Sequence, residues 1–185
     1  IEETLLDLEE LQVQRGALDD QDRIYLLVRE SGWSGSTLWL VRFLEDGRLD
    51  PAFQMHALES GDSVAQVLPL QDGRVLLAGQ FERRGVQTRC LKMVKQDGMT
   101  DEAFLGGWFK EWSYVAAVTE CPDGSLLIGG DLTLPDDEDR VVTVMRLDRV
   151  GLRDAGFGGG SGAGNEGYYY SAIGSLVRLW DGRIV

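Results

Sequence analysis

Four carboxylates stand together at Asp136, Asp137, Glu138 and Asp139, and hard cations are held by several converging carboxylate oxygens. Asp136, Asp137 and Asp139 are therefore the candidate metal ligands, with Ca²⁺ the implied ion. Their spacing is not that of an EF-hand loop, and adjacent acids do not easily all point inward. A solvated acidic loop over 133–140 competes with the ion site. Aromatic side chains form a second candidate. Trp108, Phe109, Trp112 and Tyr114 precede one strand pattern, and Tyr168, Tyr169 and Tyr170 precede the next in the corresponding place. Rings with a polar tip suit a peptide or sugar surface, which makes Trp108, Trp112, Tyr168 and Tyr169 the candidate ligand residues. Packing between repeat units competes with that role.

Other chemistries find little support. His56 is the single histidine, so any Ser-His-Asp or Cys-His arrangement must use it, and no nucleophile motif lies near it. The 31 acids always offer some pair of carboxylates, so a glycosidase pair is not specified by sequence. The glycine run over 158–164 lacks the Lys-Ser/Thr of a phosphate-binding loop and reads as a linker. Cys90 and Cys121 are too few for a disulfide framework and too far apart for a metal pair; both are expected to be buried free thiols. No catalytic or cofactor-binding residue is assigned.

The elements that must position these groups are strands and turns. Twenty-four glycines are nearly twice average usage, which favours short strands and many turns. The segment over 70–104 shows the pattern: an Asp-Gly turn, the strand RVLLAGQF, a variable loop, the strand RCLKMVK, a second Asp-Gly turn and a closing DEAF. The turn glycines Gly73, Gly124 and Gly182 lie 51 and 58 residues apart, and Gly47, Gly98 and Gly151 lie 51 and 53 apart. After the second series come Asp50 and Phe53, Asp101 and Phe104, Asp154 and Phe157, in fixed phase. Recurring aspartates of this kind hold turns by accepting backbone N–H bonds, with the phenylalanine plugging the core behind them. The repeat units run over 12–53, 63–104, 113–157 and 168–185, the last incomplete, with a Gly-rich linker at 158–167. Loops are expected at 31–36, 81–88 and 133–140. Residues 1–12, with Leu5, Leu8 and Leu11 between acids, read as a short amphipathic helix or an edge strand.

An all-β chain with repeats of this length indicates a β-propeller-type fold of about three and a half blades. DGRVLLAGQF, followed by LVRFLEDGRLDPAF and VMRLDRVGLRDAGF in neighbouring units, resembles the bacterial delta-60 repeat, a β-propeller family of unknown function. Arg42 and Arg146 match that pattern, Met93 departs from it, and Gln21-Asp22 replaces Asp-Gly in the first unit. The resemblance covers roughly residues 20–185 and implies a propeller, with an extracellular or cell-surface setting. It implies no activity.

A net charge of −13 repels phosphate backbones and anionic lipid, so neither nucleic acid nor a membrane surface is an expected partner. A partial propeller leaves edges to cover. A homodimer would close a ring, or further blades in a longer chain would. The function read from this pattern is a non-catalytic binding or scaffold module that presents loops to a protein or glycan partner. The competing readings are a propeller glycoside hydrolase or lyase using channel carboxylates, and a purely structural part of a larger secreted or surface protein. Function belongs where the repeat fails, at 81–88, 108–112 and 132–140.

Overall fold

The computed structural model describes residues 12–32, 35–83, 86–106, 109, 113–134, 137–157 and 176. The expected helix or edge strand over 1–12 falls outside these apart from Gln12, as do the linker at 158–167 and, except for Leu176, the fourth unit. The described residues are all β, without a helix. They form three antiparallel sheets. The first contains β1 (Gln12–Leu18), β2 (Ile24–Gly32), β3 (Gly35–Phe43) and the short β4 (His56–Ala57), in that order. The second contains β5 (Ser63–Pro69), β6 (Val75–Arg83) and β7 (Val86–Val94). The third contains β8 (Tyr114–Glu120), β9 (Leu126–Leu134) and β10 (Asp137–Leu147).

Period-two alternation sets the stacking. On β6, Val75 and Leu77 join a cluster with Tyr25, Leu27, Leu40 and Phe53 of the first unit. The intervening Leu76 and Ala78 join Leu126, Ile128 and Met145 of the third. The middle sheet is thus buried on both faces, between its two neighbours. The first strands β1, β5 and β8 lie side by side in succession. Each carries a β-bulge at the same place, between Val13 and Arg15, Val64 and Gln66, and Val115 and Ala117. A bulge adds one residue and sharpens local twist. Opposite two of these bulges stand Gly79 and Gly130, where a Cβ would lie 1.9 Å from the Ser63 carbonyl oxygen and 2.0 Å from that of Tyr114.

The three expected loops are shorter than their composition suggested. The β2–β3 ladder runs out to Gly32 paired with Gly35, the β6–β7 ladder to Arg83 with Val86, and the β9–β10 ladder to Leu134 with Asp137. Antiparallel strands keep pairing because each further residue satisfies backbone donors and acceptors, whatever the polarity of the side chains. The tips recur 51 residues apart on both strands. In the third hairpin the register slips between Asp137 and Val141, which accommodates the longer spacing in that unit.

Candidate functional site

Every described unit gathers its charged repeat residues at the end of the sheet opposite the hairpin tip. Two turns lie there. The first turns occupy 19–23, 70–74 and 121–125; the second occupy 44–48, 95–99 and 148–152. All six close in one way. The first residue's N–H donates to the fifth residue's carbonyl, as Leu44 to Arg48 at 2.8 Å, and the fourth residue's N–H donates back to the first carbonyl, as Gly47 to Leu44 at 2.9 Å. The fourth position takes a left-handed backbone, filled by Gly47, Gly73, Gly98, Gly124 and Gly151, and in the first unit by Asp22 at φ 57°. Aspartate is among the few side chains that tolerate this region, so the departure at Gln21-Asp22 preserves the turn.

The turn carboxylate follows a rule within the chain. Where the third residue is Asp, its Oδ1 accepts the fifth residue's N–H: Asp46 from Arg48, Asp72 from Arg74, Asp97 from Met99 and Asp123 from Ser125. Where the third residue is Gln21 or Val150, the first is Asp instead. Asp19 Oδ1 then accepts the N–H groups of Gln21 and Arg23, and Asp148 Oδ1 those of Val150 and Leu152. Asp19 and Asp72 are opposed by burial, yet bonds from Arg23 and Arg74 hold both carboxyls below the usual range.

The periodic aspartates cap the return of the chain. Asp50, Asp101 and Asp154 each accept the N–H two residues on through Oδ1, from Ala52, Ala103 and Gly156. Each offers its carbonyl to the following Phe N–H. Phe53 and Phe104 are buried, and Phe157 is half-buried. An arginine meets each aspartate. Arg42 Nε donates to Asp50 Oδ2 at 2.7 Å, with side chains only 2% and 7% exposed. Its guanidinium also lies 4.7 Å from the Phe53 ring centre and donates through Nη1 to the Gln96 carbonyl of the next unit at 2.9 Å. In the second unit Met93 replaces that arginine. Asp101 is met by Arg74 of the first turn, at 3.2 Å, and Arg74 Nη2 donates to the Arg149 carbonyl of the third unit at 3.1 Å. In the third unit Arg146 bonds Ser125 and Asp123 and lies 3.7 Å from Asp154.

Neighbouring units are also joined through backbone. The residue after each buried phenylalanine donates to the third residue of the next unit's second turn, Gln54 to Asp97 at 2.8 Å and Leu105 to Val150 at 2.7 Å. Gln66 makes a two-way amide pair with Val118 at 2.9 Å in each direction. Glu120 accepts the Gln71 N–H, and burial raises its carboxyl above the usual range.

His56 belongs to this junction. Its Nδ1 lies 3.0 Å from the Gly98 carbonyl oxygen, which requires the proton on Nδ1. Nε2 is buried with no hydrogen-bond partner among the described residues. Burial, and then the Lys92 charge, push the imidazole below its ordinary pKa, so the ring is a neutral strut between units at pH 7. Cys90 and Cys121 are buried and not joined in a disulfide, as expected, and Cys90 Sγ donates to the Ser113 carbonyl at 3.3 Å.

The clefts at this end follow the repeat. One of about 600 Å³ is lined by Arg23, Arg42, Asp50 and Gln96. One of about 590 Å³ lies at the matching place two units on, beside Arg146, Asp154 and Arg149. Of the candidate metal ligands, Asp137 and Asp139 lie along β10, and Asp136 falls outside the described residues. Among the described residues no group of three His, Cys, Asp or Glu side chains could hold a metal ion. The candidate ligand residues Trp108, Trp112, Tyr168 and Tyr169 also fall outside. Sequence reasoning missed the exchange of Arg74 for the arginine absent at Met93; the signal was an Arg directly after the Asp-Gly of that unit. Comparison with protein families, with characterised proteins and with solved structures finds no match to this chain.

Proposed function

We propose that the chain is a non-catalytic binding or scaffold module of β-propeller type, which presents its hairpin tips to a protein or glycan partner. One observation carries this reading. The charged residues that recur in the described units are absorbed by turns and unit–unit junctions, while the tips between Gly32 and Gly35, Arg83 and Val86, and Leu134 and Asp137 share one register and no common sequence. A uniform frame with variable tips is the arrangement of repeat proteins that bind through one face. Succession of the bulged first strands β1, β5 and β8 suits the inner ring of a propeller, in keeping with the delta-60 resemblance. Those strands carry a single carboxylate, Glu120, which favours the module over a hydrolase working with paired acids.

The test is an array of oligosaccharides and peptides probed with the intact chain, beside variants whose tips at 33–34, 84–85 and 135–136 are replaced by Asn-Gly. The reading expects binding that is lost with the tips while the melting temperature holds. Binding indifferent to the tips, or turnover of chromogenic glycosides above background, contradicts it.

A further inference from the structure

Four of the six turns carry Asp-Gly at their third and fourth positions: Asp46-Gly47, Asp72-Gly73, Asp97-Gly98 and Asp123-Gly124. An aspartate followed by glycine can close on itself, because no side chain shields the next peptide nitrogen. The glycine nitrogen attacks the aspartate Cγ, the C–N bond forms, and a carboxyl oxygen departs as water with the amide proton. Hydrolysis of the resulting succinimide at one carbonyl restores aspartate. Hydrolysis at the other routes the backbone through Cβ, which is isoaspartate. Water is the only co-reactant. Both groups must first leave the turn, since each glycine N–H is bound to the first carbonyl and each Oδ1 to the fifth N–H.

All four pairs share that local restraint, so their surroundings decide which one reacts. Asp97-Gly98 is clamped by the first unit. The Asp97 carbonyl accepts the Gln54 N–H at 2.8 Å, the Gly98 carbonyl accepts from His56 Nδ1 at 3.0 Å, and Gly98 is buried. At Asp123-Gly124, Arg149 Nε donates to the Asp123 carbonyl at 2.7 Å, and Arg146 holds the carboxylate. At Asp72-Gly73, Arg74 bridges the carboxylates of Asp72 and Asp101. The Gln96 side chain lies 3.3 Å from where a Gly73 Cβ would stand. Asp46-Gly47 differs. Both residues are exposed, and the ion pair on the Asp46 carboxylate comes from Arg48, whose side chain is 79% exposed. Such a surface pair restrains little.

We propose that Asp46-Gly47 is the site at which the folded chain forms isoaspartate, while the junction between units protects Asp97-Gly98. The added backbone carbon lengthens the 44–48 turn and moves the carboxylate off the side-chain position that accepts the Arg48 N–H. The modified residue is a substrate for enzymes of the class that methylates isoaspartyl carboxylates with S-adenosylmethionine. This modification site is independent of the module reading above.

Ageing of the intact chain at neutral pH, followed by tryptic mapping with electron-transfer mass spectrometry, tests it. Each Asp-Gly falls in a separate tryptic peptide. In guanidinium chloride, which removes the turns, all four sites are expected to isomerise at similar rates. In the folded chain Asp46 is expected to lead the other three. It should outpace Asp97 roughly tenfold, the effect of the two additional hydrogen bonds at Asp97-Gly98. Methyl acceptance from an isoaspartyl methyltransferase is expected to fall to near background in folded Asp46→Glu, which keeps the charge and lengthens the ring that must close. Three results would each overturn the proposal: no isoaspartate at Asp46 in the folded chain, another Asp-Gly keeping pace with it there, or methyl acceptance undiminished in Asp46→Glu.

Discussion

Arg42 and Arg74 occupy different positions in their units yet hold the same two groups. Arg42 lies near the end of β3, and Arg74 closes the turn before β6. Each bonds the aspartate that precedes the buried phenylalanine and the second carbonyl of the next unit's second turn. The repeat therefore preserves a contact more strictly than it preserves a residue.

The burial of this contact predicts a graded response to its loss. Removing one partner of a buried ion pair leaves an uncompensated charge. Arg42→Ala, which strands Asp50, is expected to lower unfolding free energy by about 3–5 kcal/mol. Arg146→Ala, in the more exposed third unit, is expected to cost about 1 kcal/mol or less. Urea denaturation of both variants decides the matter, and equal losses would show that burial does not set the strength of the contact.

The turn glycines separate backbone strain from steric contact. Gly47→Ala meets only the left-handed backbone and is expected to cost about 1–2 kcal/mol. Gly98→Ala adds a clash with the Gln54 carbonyl and is expected to cost about 3 kcal/mol or more. Asp22→Gly removes a strained non-glycine and is expected to gain about 0.5–1 kcal/mol. Thermal melts should place Gly98→Ala lowest and Gly47→Ala between it and the wild type, with Asp22→Gly above the wild type; a Gly98→Ala as mild as Gly47→Ala would argue against the junction.

His56 gives the chain a pH-dependent junction. Its folded pKa lies below the ordinary 6.5, so the unfolded chain binds the proton more readily. Stability is then fully present above about pH 6.5 and declines as pH falls through the window below it. Glu120, whose carboxyl is raised above 4.5, acts in the opposite sense at lower pH, so measurements belong above about pH 5.5. His56→Gln should flatten the dependence of melting temperature on pH between about 7.5 and 5.5. An unchanged slope would assign it to other groups.

Strands and turns were legible because Asp-Gly pairs and alternating apolar residues report local backbone geometry directly. Asp50 and Phe53, with their repeats, were legible for the same reason: an Asx turn and a core plug act within a few residues. The hairpin lengths were not, since a polar run such as 29–32 pairs through its backbone and leaves no apolar alternation to read. Nor was the role of Arg74, which depends on two turns brought together by stacking of the second and third sheets. Asp22 looked like a lapse in the pattern, yet its backbone conformation makes it a member of the turn series.

The central claim is that Arg74 substitutes for an arginine at position 93. A double-mutant cycle with Arg74→Ala and Met93→Arg measures it directly. Arg74→Ala alone is expected to cost about 1–3 kcal/mol, and Met93→Arg alone to destabilise by burying a second guanidinium. Together, the arginine at position 93 should reach Asp101 as Arg42 reaches Asp50, recovering at least about half of the loss. A Met93→Arg that is equally damaging in both backgrounds would contradict the account.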